Sequence, residues 1–273
     1  MLSRILTGLV LAPLAVLALL FLPDTAGVGL AMIAGAITLD EFDRIVRPGR
    51  RRDAVWAAQM ACLLALFAAA LRPGGTALLG AGLFLSTVLQ AVLRLLRPEP
   101  LETALRDIAG PVLGTVWVGL PLGLVTAALT GPLGGDAGNH VILALLAMVF
   151  AGDTCAYFTG MAFGRHRLYP AVSPKKTVEG ALGGLAGSVA GGLVIKGLLG
   201  LSPGWLAVAL LGLAAGVAEQ AGDLCQSMLK RGAGIKDSGS LLPGHGGMFD
   251  RLDGLLFAAP VVYYGWIIAS SPG

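Results

Sequence analysis

The sequence predicts an all-α transmembrane bundle of about nine helices with a cytoplasmic N-terminus. Three observations carry this: the composition, the lengths of the apolar segments and the placement of the basic residues. Hydrophobic residues make up 56% of the 273 positions and charged ones 13%, where an ordinary soluble domain has about 25% charged. A surface so poor in charge is matched to lipid rather than water. Glycine is abundant, with 41 residues and no collagen period, which in an apolar chain indicates closely packed helices.

A spanning helix needs about 20 mostly apolar residues. Nine segments qualify, at 5–22, 25–39, 54–71, 75–96, 108–130, 140–162, 178–200, 203–222 and 254–270. The first follows Arg4 as a signal peptide would, but Phe21-Leu22-Pro23-Asp24 lacks a small-residue cleavage pattern, so a retained helix is expected. Counted over nine spans, 17 basic residues fall on the N-terminal side and two, Arg72 and Lys196, on the other. The positive-inside rule makes the first side cytoplasmic. No long polar insert separates the spans, so one integral domain is expected, with N-terminal helices over 1–139 and the polar chemistry over 140–273.

The seventh segment carries Gly183, Gly187 and Gly191 four apart, flanked by Gly184, Ser188 and Gly192. Such a ridge lets backbones approach closely. Packing within the chain is the default expectation, with a subunit interface, and hence a homodimer, as the alternative. Cys62, Cys155 and Cys225 are odd in number, lack metal-ligand spacing and read as packing residues. The triplet Arg50-Arg51-Arg52 reads as a topology signal that also attracts anionic lipid. No internal repeat marks an inverted-repeat transporter, no Walker A pattern is present, and nothing points to a nucleic acid partner.

Ionisable residues inside apolar spans are functional suspects. Asp153 lies in the sixth segment, Glu179 opens the seventh, and Glu219 and Asp223 close the eighth, four apart and so on one helix face. Their neutralising partner must come from another helix, a water-filled cavity or a cation, and carboxylate oxygens suit Mg²⁺ or Ca²⁺. Ser173-Pro174-Lys175-Lys176-Thr177-Val178-Glu179 reads as a helix start, with Ser173 as the cap and Pro174 in the first turn. Two lysines at such an end make a phosphate site. The longest polar run, Ser227 to Asp253, reads as a glycine-rich loop with Lys230, Arg231, Lys236 and Arg251 for phosphate charge. Asp250 and Asp253 stand at its end, one helical turn apart.

These residues resemble the signature of the phosphatidate cytidylyltransferases, also called CDP-diacylglycerol synthases. Ser227 to Asp253 follows S-x-x-K-R-x-x-x-x-K-D, including Asp237, and then H-G-G-x-x-D-R-x-D, starting at His245. Asp153-Thr154-Cys155-Ala156-Tyr157-Phe158-Thr159-Gly160 and Ser173 to Gly180 extend the match, while Met161 departs from the Arg expected after Gly160. The first half matches only in hydropathy. The resemblance implies transfer of a cytidylyl group from CTP to phosphatidate, with Mg²⁺ alone or Mg²⁺ and a second cation, at the inner face of the cell membrane among membrane lipids. It implies Asp223 and Asp250 as metal ligands, with Asp153, Glu219 and Asp253 as further ligands or supporting groups. Lys230, Arg231, Lys236 and Arg251 would hold the triphosphate. Ser173, Lys175, Lys176, Thr177, Glu179 and Ser227 would serve the substrates, and His245 would hydrogen-bond phosphate or give a proton to pyrophosphate. Rival expectations are a CTP-using enzyme for a polyprenol or ether lipid, and a transporter of phosphorylated anions.

Overall fold

The computed structural model describes residues 23–49, 52–72, 75–97, 99–130, 136–239 and 246–270. The first expected span, Arg50, Arg51 and His245 lie outside the described residues. Among the described residues the chain is all-α apart from one short hairpin. Its elements run α1 (Asp24–Val46), α2 (Ala54–Ala70), α3 (Thr76–Leu95), a 3-10 turn (Leu101–Thr103), α4 (Ala104–Gly114), a π turn (Thr115–Gly119), α5 (Leu120–Thr130), α6 (Asp136–Phe163), β1 (Arg167–Tyr169), β2 (Ser173–Thr177), α7 (Val178–Leu199), α8 (Trp205–Gly232) and α9 (Phe249–Ser270). Among the described residues seven helical segments are long and apolar enough to cross a membrane, Leu101–Thr130 counting as one, and Ala54–Ala70 is a shorter apolar helix. Their outward faces carry Phe84, Leu198, Leu206 and Ile268, all exposed. The protein is a multi-pass membrane protein, because apolar surface of that extent is matched to hydrocarbon.

Two compact units divide the chain, Met1–Gly135 with Asp237–Arg251, and Asp136–Lys236 with Leu252–Gly273. In the first, α1 continues seven residues past its expected end, because Thr38, Glu41, Phe42 and Ile45 form a buried stripe at helical spacing. Phe42 meets Phe249 edge-on at 5.6 Å and Trp117 at 6.0 Å, and both phenylalanines are fully buried. The turn into α2 is an ion-pair knot. Buried Arg47 donates to both oxygens of Asp43 at 2.7 Å and to Asp53 at 3.0 and 3.1 Å. Asp53 also caps α2 by accepting from the Trp56 N–H at 3.0 Å. Burial disfavours the Asp53 charge, but the Trp56 N–H and Arg47 outweigh it and hold the carboxyl below its ordinary range. Arg52, the described member of the arginine triplet, pairs with Asp40 and lies 5.1 Å from the Trp56 ring.

In the second unit the glycine ridge of α7 is used on two sides. A Cβ at Gly187 would lie 2.5 Å from the Ala151 carbonyl oxygen of α6 and 2.6 Å from the Cys155 Cβ. On the α8 side, a Cβ at Gly212 would lie 2.9 Å from the Ser188 carbonyl oxygen. The ridge is therefore consumed within the chain, as the default expectation had it. The three cysteines are free, with Cys62 buried. Gly200 ends α7 at φ +62, a left-handed cap in which its N–H reaches the Lys196 carbonyl. Lys196 itself donates to the Leu201 carbonyl at 2.7 Å and lies over Trp205.

Because the Gly187 contact is with backbone, no rotamer change relieves it. Gly187→Ala is expected to lower stability by about 1–3 kcal/mol. Gly80→Ala, whose added carbon meets nothing within 4 Å, is expected to be neutral or slightly stabilising. Thermal unfolding of both variants in the same detergent checks the pair.

Candidate functional site

Local structure around Lys175 and Lys176 differs from the sequence expectation. Ser173–Thr177 is a strand, paired antiparallel with β1 so that Tyr169 faces Ser173 and Arg167 faces Thr177. The helix cap is Thr177, whose hydroxyl accepts the Gly180 N–H at 3.1 Å, and not Ser173. Pro174 and the two lysines thus precede the helix on an extended segment. The reason is register: β1 takes up residues 173 to 177 as its partner, and Thr177, also a favoured cap residue, takes over the helix start. The extended backbone aims consecutive side chains to opposite faces, leaving Lys175 exposed and Lys176 half-buried.

Lys176 forms an ion pair with Asp223 of α8. Asp223 also accepts from the Ser227 hydroxyl at 3.3 Å, one turn along the same helix. Glu219, expected with Asp223 at the end of a span, sits mid-helix, because α8 runs on to Gly232 and takes in Ser227, Lys230 and Arg231. The first part of the supposed glycine loop is therefore helical. Glu219 is buried and shares a side-chain hydrogen bond with Asp153 of α6, within the electrostatic reach of Lys176 and Asp223. Asp253 of α9 lies in the field of Asp223, Asp153 and Lys230. Gly222 lets α9 come this close, since a Cβ there would lie 2.9 Å from the Asp253 carbonyl oxygen.

A cavity of about 410 Å³ joins several of these groups. Asp153, Glu219 and Asp223 give it an acidic wall, Lys175 and Lys176 a basic one, and Ala156, Tyr157, Met161 and Leu168 an apolar side. Gln220, which the sequence did not single out, also lines it and is held by donation to the Ala181 carbonyl at 2.9 Å. Chemically the lining combines groups that suit anionic oxygen, groups that suit cations and groups that suit hydrocarbon. The acidic oxygens are the donor type a hard divalent cation takes. Among the described residues no group of three His, Cys, Asp or Glu stands ready-made as a metal cluster.

Other expected site residues do not line this cavity. Glu179 accepts from the Arg165 N–H at 3.0 Å and the His166 N–H at 3.2 Å and pairs with His166 Nδ1 at 2.6 Å, so its carboxylate fixes the turn into β1. Arg231 donates to the Ile235 carbonyl at 3.2 Å, just beyond the end of α8, and Lys236 and Asp237 are exposed.

In the first unit, Asp250 and the described flanks of the signature loop form a separate network. Asp250 Oδ2 accepts from the Ser238 N–H at 2.7 Å, the Ser238 hydroxyl at 3.0 Å and the Gly247 N–H at 2.9 Å. Gly246 adopts φ +79, and a side chain there would also meet the Asp250 carboxylate. Arg251 follows Asp250 in the first turn of α9, is exposed, and its N–H reaches the Met248 carbonyl at 2.9 Å. Glu41 of α1 joins the network from far away in sequence. It accepts from the Ser238 hydroxyl at 2.8 Å, the Met248 N–H at 3.1 Å and the Phe249 N–H at 2.9 Å. Sequence reasoning missed Glu41. The available signal was an acid on the apolar stripe that Thr38, Phe42 and Ile45 continue beyond residue 39.

Comparison with known proteins bears on all of this. The model of a family described as the cytidylyltransferase family matches residues 2–268. A Brucella suis protein named phosphatidate cytidylyltransferase is 47% identical over 135 residues, half of each chain. Similarly named proteins are 40% identical over 194 residues in Synechocystis, covering 61% of this chain and 64% of that one, and 46% identical over 138 residues in Thermotoga maritima, covering 48% and 51%. The chain thus spans about half to under two thirds of the length of these relatives in the matched regions.

Proposed function

Since the chain belongs to the cytidylyltransferase family, we propose that it transfers the cytidylyl group of CTP to phosphatidate, giving CDP-diacylglycerol and pyrophosphate. A phosphatidate oxygen forms a bond to the α-phosphorus of CTP, and the bond from that phosphorus to the oxygen bridging to the β-phosphate breaks. The observation that carries the reading is the cavity lined together by Lys175 and Lys176, by Asp153, Glu219 and Asp223, and at an exposed apolar lip by Tyr157 and Met161. Both reactants are strongly anionic, so the chemistry is chiefly positioning and charge neutralisation. Lys175 and Lys176 hold a phosphate. Lys230, Arg231, Lys236 and Arg251 steady the triphosphate and the leaving pyrophosphate. The apolar lip lets the acyl chains stay in hydrocarbon while the headgroup enters.

The carboxylate donor set fits a divalent cation, for which Mg²⁺ is the proposal. Asp223 is the assigned ligand, with Asp153, Glu219 and Asp253 of the same unit as supporting carboxylates, and Asp250 is proposed as a ligand from the signature motif alone. When bound, the ion neutralises and aligns phosphate oxygens. Ser227 and Lys176 hold the Asp223 carboxylate in place. The proposed topology is nine spans with the N-terminus and the phosphate-binding groups on the cytoplasmic side of the inner membrane, following the 17-to-2 distribution of basic residues.

Purified protein in detergent micelles with phosphatidate, Mg²⁺ and CTP labelled in the cytidine is expected to produce labelled lipid. Folded preparations that never do so refute the proposal. Turnover with a polyprenyl phosphate in preference to phosphatidate would transfer it to a different lipid.

A further inference from the structure

We propose that Glu41 is a positioning residue for the signature loop: from the N-terminal half of the chain it fixes the segment that carries Asp250 and Arg251. The inference rests on the cytidylyl transfer reading for its kinetic arm. Glu41 is 4% exposed, and its two carboxylate oxygens take three donors from the two described flanks of the loop. Two of these donors, the Met248 and Phe249 N–H groups, lie at the start of α9, where a helix lacks internal acceptors and the dipole favours a negative group. Glu41 is thus an N-terminal cap supplied by another helix rather than by a neighbouring residue.

Its surroundings are shaped to it. A Cβ at Gly239 would lie 2.6 Å from Glu41 Oε1, and one at Gly247 would collide with Oε2. Phe42, the next residue, packs edge-on against Phe249 at 5.6 Å, so the hydrogen bonds and the aromatic contact hold the same point of the chain. Ser238 lies within hydrogen-bond distance of both Glu41 and Asp250, at 2.8 and 3.0 Å, and its single hydroxyl hydrogen serves one carboxylate at a time. Glu41 and Asp250 therefore grip the same two flanks, and a shift at Glu41 moves Asp250.

Glu41→Gln is the decisive variant, since it keeps the volume and replaces one acceptor oxygen by a donor facing N–H groups. Hydrogen exchange of the peptide containing Gly247 to Arg251 is expected to speed up about tenfold. KM for CTP is expected to rise about tenfold, with KM for phosphatidate and the thermal midpoint nearly unchanged. Glu41→Asp should recover part of both losses. Arg44→Ala, an exposed change on the same helix, should leave both readouts as in the wild type. Unchanged exchange in Glu41→Gln overturns the clamp. Loss of activity that tracks only the folded fraction, at constant KM, overturns the positioning role. If the wild type shows no CTP turnover at all, the functional reading fails, and the exchange experiment still decides whether Glu41 holds the loop.

Discussion

Replacing Asp223 with asparagine is expected to reduce CTP-dependent turnover by roughly 10³-fold, the scale set by several kcal/mol of lost charge stabilisation. The substitution is nearly isosteric and leaves an oxygen for the Ser227 hydroxyl, now at 3.3 Å, so thermal stability should change little. It removes the negative charge that pairs with Lys176 and stands on the acidic wall of the cavity with Asp153 and Glu219. Two roles for that charge make opposite forecasts. Were Asp223 present only to hold Lys176 in place, the Mg²⁺ concentration for half-maximal turnover would stay as in the wild type. Were Asp223 a cation ligand, that concentration would rise along with the loss of turnover. The second result is expected, and near-normal turnover in Asp223→Asn alone would refute the assignment.

What the sequence disclosed and what it hid divide along a physical line. Spans are set by solvent: once a segment is apolar over some 20 residues its helix is dictated by the need to satisfy backbone groups in hydrocarbon. The core of each expected span after the first is found in α1 to α9. Ends are set by local competition. Ser173-Pro174 has the chemistry of a helix start, but a strand partner six residues upstream claimed it, and pairing with Arg167 to Tyr169 is not written in the segment itself. In α8 the polar residues from Glu219 onward looked like the end of a span, although they belong to one helix that runs without a break to Gly232. The partnership of Lys176 with Asp223 was foreseeable in kind, since a carboxylate in a span needs a cation. Its identity required the hairpin. Glu41 was hidden for the opposite reason, because an acid just beyond an apolar run reads as a solvated end unless the stripe through Phe42 and Ile45 is followed further.

Asp250 poses the sharper question, because its carboxylate has a structural task that can be mistaken for a catalytic one. Oδ2 accepts from the Ser238 and Gly247 N–H groups and shares the Ser238 hydroxyl with Glu41, so removal of the side chain would loosen the loop whatever else Asp250 does. Asparagine separates the tasks. Its carbonyl oxygen can occupy the place of Oδ2 and keep those donors satisfied, while the charge is lost. Asp250→Asn is therefore expected to preserve amide protection at Ser238 and Gly247 and still lower turnover by roughly 10³-fold. Asp250→Ala should lose both, leaving buried N–H groups without their acceptor at about 1–3 kcal/mol. If Asp250→Asn turns over at nearly the wild-type rate, the residue is a clamp like Glu41 and the metal assignment falls. If protection falls in Asp250→Asn as far as in Asp250→Ala, the charge itself holds the loop, and combining it with Glu41→Gln should then cost little more, since both carboxylates act on the same two flanks.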